Sequence, residues 1–163
     1  MSQLQPDGFE WFLPEQIKMI AEGGFDGVDL VYGDFDFAEI RPLLNKYRLE
    51  STVTVFPESI EALQPVIEIA QSLGVRHLNI IGKFYLFSVN EDAKYIRGWM
   101  ALCNEAGLAV TIETHRDCII ADMHYALQLM EQVPEMHLCI DLSHFVVGRK
   151  FSWPITAQVK SQI

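Results

Sequence analysis

The sequence predicts an α/β fold, an incomplete (β/α)8 barrel of about five βα units with parallel strands. Strand-like segments begin near residues 27, 51, 76, 109 and 137, at intervals of 24 to 33 residues, with amphipathic helical segments between them. That interval is typical of βα units, in which each helix crosses over to a parallel neighbour. Within the strands, apolar side chains alternate with polar ones. Since a sheet with helices on both faces is apolar on both, the alternation favours a barrel-like curl with a polar interior.

The first half of the chain predicts two helices and two strands in alternation. A helix is expected over Leu13–Gly24, where Pro14 suits the first turn and the glycine pair ends the helix. The strand Gly27–Tyr32 follows. Apolar residues at helical spacing then predict a helix over Asp36–Tyr47, and the β-branched run Ser51–Phe56 predicts the second strand.

The middle of the chain predicts two further helices and the third strand. Ser59 is a suitable N-cap for a helix that ends at Gly74, and the strand His77–Ile81 follows. We expect Asn90 to cap the next helix, which runs to Gly107.

The last predicted elements carry the acidic residues of interest. The fourth strand contains Glu113, a helix is expected from about Ile120 to Gln132, and the fifth strand contains Asp141. The pattern thus repeats βα units up to the second acidic residue.

The chain is short for the fold that it predicts. A complete (β/α)8 barrel takes about 250 residues, whereas this chain has 163. Nothing before Leu13 predicts a first strand, and Phe145–Ile163 is too short for the missing units. We therefore expect residues 1–163 to form a single partial barrel domain, either a fragment or a shortened version. Its unpaired strand edges predict either pairing with another copy of the chain or poor solubility.

Composition excludes several classes of function. The net charge of −10 and the pI near 4.8 disfavour binding to nucleic acid. No basic leader is evident at the N-terminus, and no apolar run approaches the ~18 residues of a membrane span. Three cysteines without metal-ligand spacing, Cys103, Cys118 and Cys139, predict reduced thiols in a cytoplasmic protein. Two of them are expected to pack in the core.

Two acidic side chains are expected to meet at one edge of the sheet. Glu113 ends the apolar run of the fourth strand, and Asp141 ends that of the fifth. Because the carboxyl ends of parallel strands lie at one rim, both carboxylates are candidate ligands of a divalent cation: Mg, Mn, Co or Zn. The alternatives are a salt bridge from Glu113 to Arg116 or Lys83, and an N-cap or salt bridge for Asp141.

Four further residues lie near the same predicted rim. His144 follows Asp141 by three residues and is a candidate to bind substrate or metal, with a hydrogen bond to a carbonyl as the alternative. His115 is predicted to point to the same side as Glu113. Arg116 has donors suited to a carboxylate or phosphate, although neutralising local acidic charge is the commoner use of such a residue. Lys83 is a candidate whose alternative is a solvated surface charge.

Two short motifs resemble the sugar phosphate isomerase/epimerase family, the xylose-isomerase-like TIM barrels that also include endonuclease IV. They are IETHR at Ile112–Arg116 and CIDLSH at Cys139–His144, supported by Gly23–Asp29 and Ser72–Arg76, each of which leads into a strand. The resemblance implies that Glu113, on the fifth barrel strand, and Asp141, on the sixth, bind a divalent metal, and that His144 contacts substrate or metal. The His and second Glu that the family takes from its seventh and eighth strands have no counterpart here.

The resemblance implies a metal-dependent isomerase or epimerase that acts on a sugar or sugar phosphate. Glu113 would be one of two glutamates that remove and return a proton next to a carbonyl. With the partner base missing, the activity of this short chain stays open. One alternative is an endonuclease IV-like phosphodiesterase, which needs further histidines where this chain has Phe56 and Lys83. The other is a non-catalytic remnant of the barrel family.

Overall fold

The computed structural model describes residues 12–83, 88–116 and 118–148. Helices and parallel strands alternate along them, with a 3₁₀ turn at Glu61–Leu63. The strands are β1 (Gly27–Val31), β2 (Glu50–Val55), β3 (His77–Ile80), β4 (Ala109–Thr114) and β5 (Leu138–Ile140). The helices are α1 (Leu13–Glu22), α2 (Phe37–Tyr47), α3 (Gln64–Leu73), α4 (Val89–Glu105), α5 (Met123–Gln132) and α6 (Leu142–Gly148).

The five strands form one parallel sheet in the order β1-β2-β3-β4-β5. This confirms the predicted fold class, because each strand pairs with the next along the chain and each crossover contains a helix. Within the described residues, β1 and β5 are the two edge strands. Pairing of these edges with another copy stays a prediction.

The two faces of the sheet differ as the alternation predicted. Apolar side chains on one face pack against the helices and are almost fully buried: Leu30, Val53, Leu78, Ile80 and Ile112. The opposite, concave face carries the polar set: Asp29, Thr52, Thr54, His77, Asn79, Thr111 and Glu113. The polar face is what positions the candidate site.

Four predicted boundaries were wrong, each for a local reason. Ser59 does not cap α3, because its Oγ accepts a hydrogen bond from the Ala62 N–H in the 3₁₀ turn, and α3 begins at Gln64. Asn90 lies inside α4, and Ser88, with an extended backbone, is the N-cap. The helix expected from Ile120 begins at Met123, with Asp122 as the capping residue. The apolar side chain of Ile120 is buried in the core ahead of α5. Its carbonyl accepts a hydrogen bond from the His115 N–H. Asp141 follows β5 directly instead of lying in it.

The structure also bears on the predicted cysteine chemistry and on membrane insertion. Cys103 and Cys118 are buried and Cys139 is exposed, and none of the three forms a disulfide within the described residues, which confirms the prediction of two core cysteines. In the described ranges, no helix combines the length and apolar character needed to cross a bilayer.

A buried acid joins α4 to α5. Asp92 is 1% exposed, and its Oδ2 accepts a hydrogen bond from the Tyr125 hydroxyl. Its Oδ1 has no hydrogen-bond partner in the described structure. Burial raises the pKa of Asp92, and the Tyr125 hydrogen bond opposes that shift. The ionised carboxylate is therefore less stable here than in water.

Replacing Asp92 by Asn is expected to remove part of the pH dependence of stability. A carboxyl group whose pKa is raised on folding favours the folded state below its unfolded pKa, and it loses that contribution as the pH rises through the folded pKa. From about pH 4 upward, wild type should therefore lose stability relative to Asp92→Asn. Urea unfolding of both proteins at about pH 4, 5, 6 and 7 measures the difference. The exposed Glu68→Gln substitution is the control, and parallel curves for wild type and Asp92→Asn would contradict the expectation.

Candidate metal centre

The candidate centre lies at the carboxyl ends of β4 and β5. Glu113 is the next to last residue of β4, and Asp141 directly follows β5. The fully buried Thr114 joins the two strand ends, because its Oγ1 accepts a hydrogen bond from the Asp141 N–H at 3.0 Å and lies 3.3 Å from the Asp141 carbonyl oxygen. The backbone that carries Asp141 is thereby fixed beside β4.

Three side chains converge there on one point. Glu113, Asp141 and His144 each offer one ligand atom, and these atoms all lie within 4.8 Å of one another. Atoms that share a divalent cation, each bonded at about 2.0–2.6 Å, cannot lie much more than about 5 Å apart. The three side chains are thus close enough to share one cation. Two carboxylates and one imidazole suit Mn, Co or Zn, and the carboxylates also suit Mg.

Asp141 has a structural role as well. Its Oδ1 accepts a hydrogen bond from the Ser143 N–H at 2.8 Å, as an N-cap residue of α6 does. Hydrogen bonds from Ser143, through its side chain and its backbone, hold the pKa of Asp141 below its ordinary value. The other oxygen, Oδ2, lies 3.5 Å from His144 Nε2. The N-cap alternative from the sequence is thus present, and it leaves one oxygen facing the cluster.

The short helix α6 was not predicted, and it is what brings His144 to Asp141. His144 lies in the first turn of α6, and its N–H donates to the Asp141 carbonyl. Residues three apart on a helix share a face. The imidazole of His144 therefore lies next to the carboxylate of Asp141.

The Glu113 side chain accepts a hydrogen bond from an amide. Its Oε2 accepts a hydrogen bond from Asn79 Nδ2. Among the described residues, no ion pair joins Glu113 to Arg116 or Lys83, the two partners that the sequence offered as alternatives. The half-buried carboxylate is therefore not neutralised by either of these two cations.

His115 lies beside the three side chains. Its ring is 4.0 Å from the His144 ring between centroids, with an angle of 46° between the planes. Its Nδ1 contacts the Arg116 carbonyl oxygen and lies 3.5 Å from Cys118 Sγ. Because a carbonyl can only accept, we assign the proton of the neutral ring to Nδ1. Nε2 of His115 is then the atom that can accept a proton or bind a ligand.

Arg116 and Lys83 are exposed, and among the described residues neither forms an ion pair with Glu113 or Asp141. Lys83 Nζ lies 5.8 Å from the centroid of the Phe56 ring. Their predicted contacts with a substrate stay predictions.

Sequence reasoning missed the polar side chains that hold Glu113 in place. Asn79 was assigned to the polar set of the third strand, but no role was predicted for it. The only available signal was its alternation with Leu78 and Ile80, which puts it on the concave face. Which neighbours it contacts depends on strand register, where it lies opposite Thr54 on one side and Thr111 on the other.

A separate cavity of about 780 Å³ opens at the other end of the sheet. It is lined by residues at the amino ends of β1 to β3, including Arg76 and His77, and by residues of α2 such as Arg41. Catalytic groups of (β/α)8 barrels lie at the opposite, carboxyl end. The cavity is therefore not part of the candidate centre.

Comparison with known proteins identifies the fold. No family model matches the sequence, and no curated protein matches it. Solved structures do match. One is a D-allulose 3-epimerase from Methylomonas sp. in complex with D-allulose, at 16% identity and a TM-score of 0.65 over 88% of this chain and 59% of that one. The described residues have the fold of part of a xylose-isomerase-like TIM barrel.

Two further structures with this fold match over a similar range. The probable 3-DHS dehydratase AsbF from Bacillus anthracis has 17% identity and a TM-score of 0.67, covering 86% of this chain and 61% of that one. A xylose isomerase-like TIM barrel protein from Mycobacterium smegmatis, in complex with magnesium, has 15% identity and a TM-score of 0.59, covering 82% and 58%. The chain thus spans about three fifths of the length of the structures that it matches.

Proposed function

We propose that this chain is a divalent-metal-dependent isomerase or epimerase that acts on a sugar or sugar phosphate. The observation that carries the proposal is the convergence of Glu113, Asp141 and His144 within 4.8 Å at the carboxyl ends of neighbouring strands. Similar folds in a D-allulose 3-epimerase and in a magnesium-bound xylose isomerase-like protein support it. Residues 1–163 would act as one partial TIM-barrel domain.

The donor set fits a divalent cation, with Glu113 and Asp141 as ligands and His144 beside them. The pKa of Asp141 lies below its ordinary value, so this side chain is an anion at neutral pH, as a ligand must be. When bound, Mn, Mg, Co or Zn would supply Lewis acidity to a substrate oxygen. Hydrogen bonds with Thr114 and Ser143 hold Asp141, and a hydrogen bond from Asn79 holds Glu113.

The side chains of this chain would have separate roles in proton removal and in substrate binding. Glu113 would remove a proton from the carbon next to a carbonyl, because it is the carboxylate that projects from the strand into the polar interior. His144 and His115 would contact substrate hydroxyl groups from the adjoining wall. Arg116 and Lys83 would reach an anionic group of the substrate from the rim, where both side chains are exposed.

A dehydratase is a second candidate, favoured by the match to the dehydratase AsbF. Removal of a proton next to a carbonyl is the first step of an epimerisation, and it is also the first step of a dehydration when a hydroxyl group leaves the next carbon. The residues assigned above would serve both reactions. The two candidates differ only in the step that follows: a proton returns to the carbon in an epimerisation, and a hydroxyl group leaves the next carbon in a dehydration.

Proton exchange tests the proposal directly. The protein is incubated in D₂O with Mn²⁺ and with D-fructose, D-allulose or other ketoses, and NMR measures deuterium at the carbon next to the carbonyl. We expect exchange that stops when a chelator removes the ion and that Asp141→Asn lowers by at least about tenfold. The control is His124→Gln, because His124 is an exposed histidine on α5. Metal binding without exchange on any ketose would contradict the proposal.

A further inference from the structure

A chain of hydrogen bonds crosses the concave face of the sheet and ends on Glu113. Thr54 Oγ1 donates to Asp29 Oδ2 at 2.7 Å, and it accepts from Asn79 Nδ2 at 3.2 Å. Asn79 Nδ2 also donates to Glu113 Oε2. The chain therefore links a carboxylate on β1 to the candidate metal ligand on β4, through one residue on each strand between them.

The amide of Asn79 can take only one orientation in this chain. Its Oδ1 accepts a hydrogen bond from Thr111 Oγ1 at 3.0 Å, and both hydrogens of Nδ2 are used by Thr54 and Glu113. A flipped amide would place its oxygen against the Glu113 carboxylate, where two acceptors would face each other. Asn79 is 8% exposed and Thr54 is 5% exposed, so water cannot readily replace these bonds.

The fixed Asn79 amide makes the two carboxylate oxygens of Glu113 different from each other. A carboxylate that binds a cation with both oxygens must turn both towards the ion, and a fixed donor on one oxygen prevents that rotation. The donor here is held by two neighbouring strands, since Thr54 and Thr111 lie on either side of Asn79 in register. Oε2 is thus held by the protein through one of its two lone pairs, so that its other lone pair is left to accept the substrate proton and Oε1 is left for the cation.

We propose that Asn79 is a positioning residue, which holds Oε2 of Glu113 so that this carboxylate binds the cation through Oε1 alone. The inference rests on the proposed metal centre. It adds a residue to that centre and assigns the mode of coordination. An acid at this position would put a second negative charge against Glu113, whereas an apolar residue would release the carboxylate.

The test uses Mn²⁺ as the probe, the full 163-residue chain, and two variants. Asn79→Leu keeps the branched outline of the side chain and has no donor, and Asn79→Asp has the same shape with an acceptor in place of the donor. Calorimetry measures the Mn²⁺ affinity, and water proton relaxation measures the number of water molecules on the bound ion. Thr52→Val is the matched control, because it removes a hydrogen bond to Asp29 on the same face without touching Asn79.

We expect each Asn79 variant to bind Mn²⁺ about 10- to 100-fold more weakly, as other losses of a ligand's hydrogen-bond partner do. Asn79→Leu should also lose one water from the ion, because the released carboxylate binds through both oxygens. If Asn79→Leu does not fold, the Mn²⁺ affinity of Asn79→Asp alone is the test. Two outcomes overturn this inference alone. In one, wild type binds Mn²⁺ and both variants have dissociation constants within twofold of the wild-type value. In the other, Asn79→Leu folds and its bound ion keeps the same number of water molecules as in wild type. Wild type that does not bind Mn²⁺ overturns the proposed function and this inference together.

Discussion

Replacing Glu113 by Gln is expected to weaken Mn²⁺ binding by more than roughly 100-fold. Loss of a residue that only supports a metal ligand already costs about 10- to 100-fold, and Glu113 is proposed as a ligand itself. The amide keeps the shape of the side chain but removes one of the two negative charges near the ion. It can also turn an NH₂ group towards the Asn79 donor, so the fixed hydrogen bond to Oε2 is weakened as well.

Calorimetric titration of wild type and Glu113→Gln with Mn²⁺ measures this effect. Glu131→Gln makes the same chemical change at an exposed position on α5, and we expect it to bind Mn²⁺ like wild type. Ketose exchange in D₂O should disappear in Glu113→Gln even at saturating metal, because the proposed base is absent. Equal affinities in wild type and Glu113→Gln would remove Glu113 from the metal centre.

The strand order and the two faces of the sheet could be predicted because they depend on local patterns. Alternation such as Leu78, Asn79 and Ile80 follows from the period of two in a strand, and it settles which side chain meets the helices. The repeat of βα units then leaves few topologies, since each crossover must return to a parallel neighbour.

The errors arose where tertiary contacts override local signals. Ile120 is apolar like a residue on the buried face of a helix, but it packs in the core ahead of the helix. Asn90 suits an N-cap as well as Ser88 does, and only the extended backbone of Ser88 decides between them. No pattern marked α6, because its seven residues are too few for a clear helical period.

The convergence of the acidic side chains could be predicted for a different reason. Glu113 and Asp141 follow consecutive strands, and consecutive parallel strands have their carboxyl ends side by side. The supporting residues could not be predicted in this way. Asn79 reaches Glu113, and Thr114 reaches Asp141, through the register of strand pairs, which a single sequence does not fix.

The core between α4 and the segment after β3 contains one large side chain. Trp99 on α4 is fully buried, and its Nε1 donates a hydrogen bond to the Ser59 carbonyl oxygen at 3.1 Å. Its ring packs edge-on against Tyr95 at 5.9 Å between centroids. It also closes the space beside Gly82, where an added Cβ would lie 3.1 Å from Trp99 Cη2. The indole thus fills the space between α4 and the segment that follows β3.

Trp99→Ala is therefore expected to lower the free energy of unfolding by about 3–5 kcal/mol, the usual cost of such a deletion in a core. The substitution leaves a cavity, and it also leaves the Ser59 carbonyl without this donor. For a domain of this size each kcal/mol lowers the melting temperature by roughly 2–4 °C. Urea unfolding and thermal melting measure both quantities.

The chain offers a matched control in Phe25, an aromatic residue that is 68% exposed. Phe25→Ala should change the free energy of unfolding by no more than about 0.5 kcal/mol, since little of its surface is buried. Trp99→Phe should fall between the two, because it keeps part of the buried volume and loses the hydrogen bond. If Trp99→Ala were no more destabilising than Phe25→Ala, Trp99 could not occupy the centre of the core. The helix that carries it would then pack differently on the sheet.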